Sequence, residues 1–112
     1  MTLFEKIANH EIPATILYED EDIVAFRDIN PQAPQHIVII PRQPIASIND
    51  VKFSDAELVG KLILIAKQLA VECGIDKSGY RLVFNCGPDA GQSVDHIHLH
   101  LLGGRSLDWP PG

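Results

Sequence analysis

The stretch Asp95-His96-Ile97-His98-Leu99-His100-Leu101-Leu102 carries a histidine at every second position, and an aliphatic residue follows each one. Side chains alternate between the two faces of a β-strand, and those two positions apart lie on one face, about 6.6 Å from each other. We therefore predict a strand over 95–102 that presents three imidazoles on one face and packs its aliphatic face against the core.

Caps and turn residues predict the elements around this strand. Thr2 with Glu5 and Ser54 with Glu57 fit capping boxes, so we expect a short helix over 2–9 and a long helix over 55–73 that ends at Gly74. The other predicted strands span 15–19, 22–28, 36–40 and 80–86. Proline or glycine residues predict loops over 30–35 and 87–93, and an irregular tail over 103–112.

Length and charge limit the kind of molecule. The chain has 112 residues, 46% of them apolar, which is enough for a single compact domain over 1–112. Its net charge is −6, from 9 Lys and Arg against 15 Asp and Glu, which argues against nucleic-acid polymers and anionic membranes as partners. A small anion would need local donors, such as backbone N–H groups or imidazoles.

The two cysteines bear on the compartment. Cys73 and Cys86 have no metal-binding spacing, and the first residues lack the apolar run of a signal peptide. We therefore expect free thiols in a cytoplasmic protein.

The helix predicted over 55–73 has a wide apolar face. One stripe consists of Leu58, Leu62, Ile65, Ala66, Leu69 and Cys73, and Val59, Ile63 and Ala70 widen it. A single sheet covers only part of so wide a face. This favours a second subunit packed against part of the helix over simple burial within one chain.

Three interpretations of the histidine row are open from the residues alone. The histidines could be surface residues of an edge strand. They could also bind zinc, with a further nitrogen from His36, although the only obvious nearby carboxylate, Asp95, falls on the opposite face. In the third interpretation a neutral imidazole attacks phosphorus, and His98 is the best-placed nucleophile because its neighbours can orient it and stabilise charge.

The loop over 87–93 ends next to the histidine row. Its backbone N–H groups and the Ser93 hydroxyl could therefore reach a phosphate bound there. A glycine-bearing loop between two strands is also typical of an ordinary turn, and this one matches no nucleotide-binding fingerprint.

These residues together resemble a known family. The run His96-Ile97-His98-Leu99-His100-Leu101-Leu102 resembles the signature of the histidine triad (HIT) superfamily. Four further stretches resemble the Hint branch of this superfamily, whose members are purine nucleoside phosphoramidases. They are Phe26-Arg27-Asp28-Ile29-Asn30-Pro31-Gln32-Ala33-Pro34, Gly91-Gln92-Ser93-Val94, Gly103-Gly104-Arg105 and Trp109-Pro110-Pro111-Gly112. The resemblance implies an α+β fold: an antiparallel sheet of about five strands with one long and one short helix, joined to a second sheet across a homodimer.

The resemblance also implies a role for each matching residue. His98 is expected to form a nucleotidyl-histidine intermediate, and His36, His96 and His100 complete the active-site histidines. Phosphate or leaving-group contacts are implied for Asn85, Gln92 and Ser93, and contacts with the ribose hydroxyls for Asp28, with Ile29 beside it. The base pocket is implied to consist of Leu3, Phe4, Ile7 and Phe26, each of which could equally be ordinary core.

In the implied reaction, His98 displaces an amine from the α-phosphorus of a purine nucleoside phosphoramidate, and water then releases the nucleotide. Ser93 is the expected route for the proton that the amine needs, with His96 as the alternative. No cofactor or metal is required by this scheme.

The tail and two departures from the family pattern concern specificity. The tail over 103–112 is implied to lie near the partner's active site, where Trp109 would be a specificity residue or simply pack. Asp95 replaces a usual aromatic residue and Asp108 a frequent histidine, which puts the leaving-group preference in doubt. The alternatives in function are a regulatory nucleotide-binding module and a hydrolase of dinucleoside polyphosphates.

Overall fold

The computed structural model describes residues 1–112, and its centre is one antiparallel sheet of five strands in the order β1-β2-β3-β5-β4. The strands are β1 Ile16–Glu19, β2 Ile23–Arg27, β3 Gln35–Pro41, β4 Tyr80–Val83 and β5 Leu99–Gly103. The helices are α1 Leu3–Ala8 and α2 Ala56–Glu72, and short 3₁₀ turns cover Ile48–Asp50, Phe53–Asp55 and Pro88–Ala90. The predicted α+β architecture is confirmed.

Helix α2 covers one face of the sheet. The buried core there combines the inward face of the helix with alternate residues of the three central strands: Ile23, Ala25, Ile37, Ile39, Leu62, Ile65, Ala66, Leu69, Ala70, Ile75, Leu99 and Leu101. Ile63, Leu64 and Val71 remain exposed on the same helix. Of the predicted wide apolar face only Ile63 is therefore exposed within this chain, whereas Leu64 and Val71 lie outside that face. Neither helix has the length and apolar character needed to cross a membrane.

Helix α1 packs on the opposite face of the sheet. Its buried residues join the other alternate strand residues in a second cluster of Phe4, Ile7, Ala8, Val24, Phe26, Val38 and Ile40. The Thr2 hydroxyl accepts the Glu5 N–H at 3.1 Å and the Glu5 carboxylate accepts the Thr2 N–H at 3.0 Å, so the predicted capping box is present.

The second predicted capping box is not formed. Helix α2 begins at Ala56 after the 3₁₀ turn Phe53–Asp55, and its N-cap residue Asp55 makes no side-chain capping bond. The Asp55 carboxylate instead accepts the Lys52 N–H at 2.9 Å, which caps the 3₁₀ turn. Gly74, with a φ of +71°, ends the long helix as predicted.

Two predicted strands are too long. β5 begins at Leu99 and not at 95, because the Ile97 N–H donates to the Ile45 carbonyl, in the segment after β3, and not to a neighbouring strand. β4 ends at Val83 and not at 86. The residues 95–98 therefore form an irregular segment leading into β5, and β5 itself extends one residue into the predicted tail.

Candidate active site

Strand pairing brings four histidines together. In the sheet, β3 pairs with β5 so that Val38 lies opposite His100 and His36 opposite Leu102, which places His36 and His100 on the same face. Their ring centroids are 5.1 Å apart, and those of His98 and His100 are 4.9 Å apart. His36, His96 and His98 are buried and His100 is half-buried. The imidazoles thus form a single cluster beside α1.

One hydrogen bond fixes the tautomer of His98. Its Nδ1 lies 2.7 Å from the His96 carbonyl oxygen, and a carbonyl only accepts, so Nδ1 carries the proton. Burial lowers the pKa of His98 below the ordinary 6.5, so the ring is neutral at neutral pH. The Nε2 lone pair is consequently available as a nucleophile.

A second chain of hydrogen bonds fixes His36 and His100. The Gln32 N–H donates to His36 Nδ1 at 3.1 Å, so the proton of the neutral ring is on Nε2, which donates to His100 Nδ1 at 2.9 Å. His100 must then hold its own proton on Nε2. Its imidazole is therefore a hydrogen-bond donor at Nε2 next to His98.

Burial keeps these two rings neutral. Burial, with the nearby His98 and His36, lowers the pKa of His100 from 6.5 to about 4. Burial also lowers the pKa of His36 although the Asp28 carboxylate opposes this shift. At neutral pH His36, His98 and His100 are thus neutral donors and acceptors with fixed directions.

Asp28 supplies a carboxylate to the cluster. It follows β2 directly, its N–H donates to the His36 carbonyl at 3.0 Å, and its Oδ2 lies 3.5 Å from His36 Nε2. One ligand atom each of Asp28, His36 and His100 lies within 4.8 Å of the other two, a spacing that a metal ion could bridge. The expectation that Asp95 is the only obvious carboxylate near the histidines is wrong, because β2 is the neighbour of β3.

Both ring nitrogens of His96 have partners within the chain. Nε2 lies 2.7 Å from the Pro41 carbonyl oxygen and therefore donates, and Nδ1 lies 3.3 Å from Thr2 Oγ1. The ring is fully buried. Sequence reasoning missed the Thr2 contact: the capping box identifies Thr2 as a helix cap, but nothing in the sequence relates it to a residue 94 positions away.

The predicted phosphate loop is closed by the Gln92 side chain. Its Oε1 accepts the Gly87 N–H at 2.9 Å, and its Nε2 donates to the Ala46 and Val94 carbonyls. The amide is thus used within the protein, and the phosphate contact implied for Gln92 stays a prediction. Ser93 is exposed on the same loop and Asn85 is half-buried at its start.

The apolar residues predicted to form the base pocket fall into two groups. Phe4, Ile7 and Phe26 are buried, and the Phe4 ring meets those of Phe26 and His98 edge-on at 5.4 and 4.8 Å. By contrast Leu3 is 48% exposed, and Ile29, which the resemblance places beside the ribose, is completely exposed. Of the buried residues Phe4 therefore lies against the nucleophile, while Leu3 faces solvent in this chain.

Trp109 is 81% exposed in the tail. Arg81 of β4 donates to the Asp108 carbonyl at 2.8 Å, which holds the tail beside that strand, and β4 is an edge of the sheet. Arg105 donates to the Gln32 carbonyl at 2.9 Å and so joins the start of the tail to the loop before His36. The tail is thus anchored at both of these points.

Known proteins resemble the chain over most of its length. A family model described as HIT domain matches residues 9–107. An uncharacterized HIT-like protein of Synechococcus elongatus is 53% identical over 99% of this chain and 96% of its own. A 14 kDa zinc-binding protein of Zea mays is 50% identical over 99% of this chain and 88% of its own.

Solved structures agree with these matches. The crystal structure of a HIT family hydrolase from Legionella pneumophila has a TM-score of 0.98 and 57% identity, and each chain is covered completely. A histidine triad protein from Clostridium difficile has a TM-score of 0.92 and 42% identity, with 95% of this chain and 92% of that chain covered.

Proposed function

Because the chain belongs to the HIT family, we propose that it is a nucleotide hydrolase, and specifically a purine nucleoside phosphoramidase that works through a nucleotidyl-histidine intermediate. The observation that carries this proposal is the tautomer of His98. Its Nδ1 proton is held by the His96 carbonyl, which leaves Nε2 with a free lone pair beside a second imidazole that donates. A pair of this kind suits attack on phosphorus with stabilisation of the charged oxygens.

In the first step His98 Nε2 forms a bond to the α-phosphorus and the phosphorus–nitrogen bond breaks. The amine leaves with its electron pair and needs a proton. Both ring nitrogens of His96 are already engaged and its ring is buried, whereas Ser93 is exposed, which favours Ser93 as the route for this proton. The Nε2–H of His100 is assigned to a phosphoryl oxygen.

In the second step a water molecule attacks phosphorus and the bond to His98 Nε2 breaks. The products are a nucleoside monophosphate and the free imidazole, so the enzyme is regenerated. Asp28 is assigned to the ribose hydroxyls, with Ile29 alongside, and the base to the apolar surface of Leu3, Phe4, Ile7 and Phe26. Asn85 and Gln92 are assigned to the loop that faces the phosphate, and the side chain of Gln92 holds the conformation of that loop.

We also propose a homodimer. The exposed Ile63, Leu64 and Val71 of α2 form an apolar surface on a helix that packs beneath the sheet, and β4 leaves one sheet edge unpaired. Pairing two copies through this edge would cover both features. The tail, which is anchored on β4, would then bring Trp109 towards the partner's site.

The test is mass spectrometry of the enzyme quenched during turnover of an adenosine phosphoramidate. We expect a nucleotide on His98, and turnover that a chelator does not affect. An adduct on another residue would overturn the mechanism. Tight binding without turnover would instead support a regulatory module, and turnover of dinucleoside polyphosphates alone would support another HIT hydrolase.

Metal binding is the second candidate, and the Asp28, His36 and His100 spacing favours it. The relative from Zea mays is described as zinc-binding. His36 Nε2 and His100 Nδ1 are 2.9 Å apart and Asp28 Oδ2 is 3.5 Å from His36 Nε2. Tetrahedral zinc holds such atoms about 3.3 Å apart, so small shifts would bring them into range. Because His36 Nδ1 already accepts the Gln32 N–H, the ring would release its Nε2 proton to solvent and bind the ion as an imidazolate.

Such a site would compete with the proposed reaction, since it uses Asp28 and His100. Isothermal titration with Zn²⁺ tests it directly: we expect binding that is lost in the Asp28→Asn protein and inhibition of turnover at the same concentration. Zinc that stimulates turnover would favour metal-dependent chemistry over the scheme above.

A further inference from the structure

The Thr2 hydroxyl serves two groups at once. It accepts the Glu5 N–H at 3.1 Å as the N-cap of α1, and it lies 3.3 Å from His96 Nδ1. His96 Nε2 donates to the Pro41 carbonyl; in the tautomer with its one proton there, Nδ1 is an acceptor and the hydroxyl donates to it. A hydroxyl has one proton and two lone pairs, so both bonds coexist.

The Pro41 carbonyl and the Thr2 hydroxyl together satisfy the His96 ring: the carbonyl can only accept, so Nε2 carries the proton, and the hydroxyl is the donor for Nδ1. The ring is fully buried, so its nitrogens have no access to water as an alternative partner. The opposite tautomer would leave the Pro41 carbonyl without its donor, and loss of the Thr2 hydroxyl would leave Nδ1 without one. Each change would cost the desolvation of a buried polar group.

His96 in turn orients the nucleophile. Its carbonyl accepts the Nδ1 proton of His98 at 2.7 Å, and that bond leaves the Nε2 lone pair free. The same helix adds a second contact, because the Phe4 ring meets His98 edge-on at 4.8 Å and His96 at 6.3 Å. The first turn of α1 thus contacts both histidines, once through Thr2 and once through Phe4.

We infer that Thr2 is a positioning residue: through its hydroxyl it locks His96, and through the His96 carbonyl it holds His98 ready to attack. The catalytic part of this inference rests on the proposed function, whereas the tautomer of His96 does not. A substrate whose base contacts α1 would strengthen the contacts from Thr2 to His96 and from His96 to His98. Binding energy from the base would then raise kcat as well as lower KM.

Three variants separate the helix cap from the contact with His96. Thr2→Ser keeps the cap and the donor. Thr2→Asp keeps a good N-cap acceptor, but its carboxylate has no proton to give to Nδ1. Thr2→Val has nearly the shape of threonine and loses both functions.

The first readout is the ¹⁵N NMR spectrum of the imidazole nitrogens, which identifies the protonated nitrogen of His96. We expect a proton on Nε2 alone in wild type and Thr2→Ser, and protons on both Nε2 and Nδ1 in Thr2→Asp, where each nitrogen faces an acceptor. A proton on Nε2 alone in all four proteins would overturn the inference whether or not the protein is a phosphoramidase.

The second readout is steady-state turnover of an adenosine phosphoramidate. We expect kcat to fall about tenfold or more in Thr2→Asp and Thr2→Val with KM changed less than about threefold, and to be retained in Thr2→Ser. A changed protonation of His96 with normal kcat would overturn the catalytic role. Loss in Thr2→Val alone would assign the effect to the helix cap and would also overturn it.

Discussion

Replacing His100 by asparagine should make the stability of the protein much less sensitive to acid. Burial lowers the pKa of His100 from 6.5 to about 4 in the folded protein, whereas in the unfolded chain it returns to its ordinary value. Between these values the unfolded state binds a proton that the folded state does not. Stability is therefore complete above about pH 6.5 and falls as the pH is lowered towards 4.

The magnitude follows from the two pKa values. Between pH 7.5 and 4.5 this one imidazole removes roughly 2 to 3 kcal/mol from the free energy of unfolding, since each pKa unit corresponds to about 1.4 kcal/mol. His36 and His98, whose pKa values are also lowered by burial, add in the same direction. The wild type should therefore lose more stability over this range than His100→Asn by about the contribution of His100 alone, because His36 and His98 are present in both proteins.

Urea unfolding at a series of pH values and one protein concentration measures the difference. Far-UV circular dichroism is the better probe, because the single tryptophan is 81% exposed and reports little on the core. His10→Asn is the comparison for a surface histidine, because His10 is exposed and its φ of +61° is one that asparagine tolerates. It also removes the 2.8 Å contact that lowers the pKa of the Glu19 carboxylate, so any change it causes should appear at the acid end, where Glu19 titrates, and not between pH 7.5 and about 5.5. Parallel stability curves for wild type and His100→Asn would refute the reasoning.

Four further substitutions test the site, the core and the interface. His98→Asn should fold normally by circular dichroism yet lose several orders of magnitude in turnover, and near-normal turnover would contradict its role as nucleophile. Asp28→Asn should weaken discrimination between ribose and deoxyribose ligands in binding assays, and unchanged affinity for both would count against a ribose contact. Leu62→Ala should remove about 2–5 kcal/mol of unfolding free energy, because Leu62 is fully buried under the sheet, and a loss below about 1 kcal/mol in urea titrations would show that the core collapses around the cavity. Leu64→Asp places a charge on the exposed side of α2 and should shift sedimentation from dimer to monomer, whereas an unchanged dimer would exclude this helix face from the interface.

Local patterns were sufficient to predict the elements of the fold. The period of two in the strands, the Thr2 capping box and the Gly74 stop each depend on residues close together in the chain, and the structure confirms all of them. The errors in the predicted boundaries and caps arise where a group that is distant in the sequence determines the local hydrogen bonding. Ile97 bonds to the Ile45 carbonyl, so β5 starts late, and Asp55 caps a 3₁₀ turn in place of the expected Ser54 box.

The site was predictable in its residue types and much less so in its geometry. The alternation of histidines identified the chemistry, and the family resemblance supplied partners such as Asp28, which no local pattern connects with His36 or His100. Strand order accounts for that contact, because β2 and β5 flank β3 on either side. Neither approach predicted the surroundings of Trp109, which is 81% exposed in this chain.

The histidine row alone does not determine which nitrogen reacts. Groups outside the imidazoles determine the tautomers. The Gln32 N–H fixes the tautomer of His36 and, through it, that of His100. The Pro41 carbonyl, with Thr2, fixes that of His96, and the His96 backbone carbonyl fixes that of His98. These groups come from the loop before β3, from the end of β3 and from the segment before β5. A strand with the same alternating histidines on another sheet would therefore present three imidazoles of undetermined tautomer. His98 Nε2 is a nucleophile because backbone groups of β3 and its flanking loops hold the tautomers of the histidines. Substitutions that move these backbone groups should therefore impair turnover even when every histidine is retained.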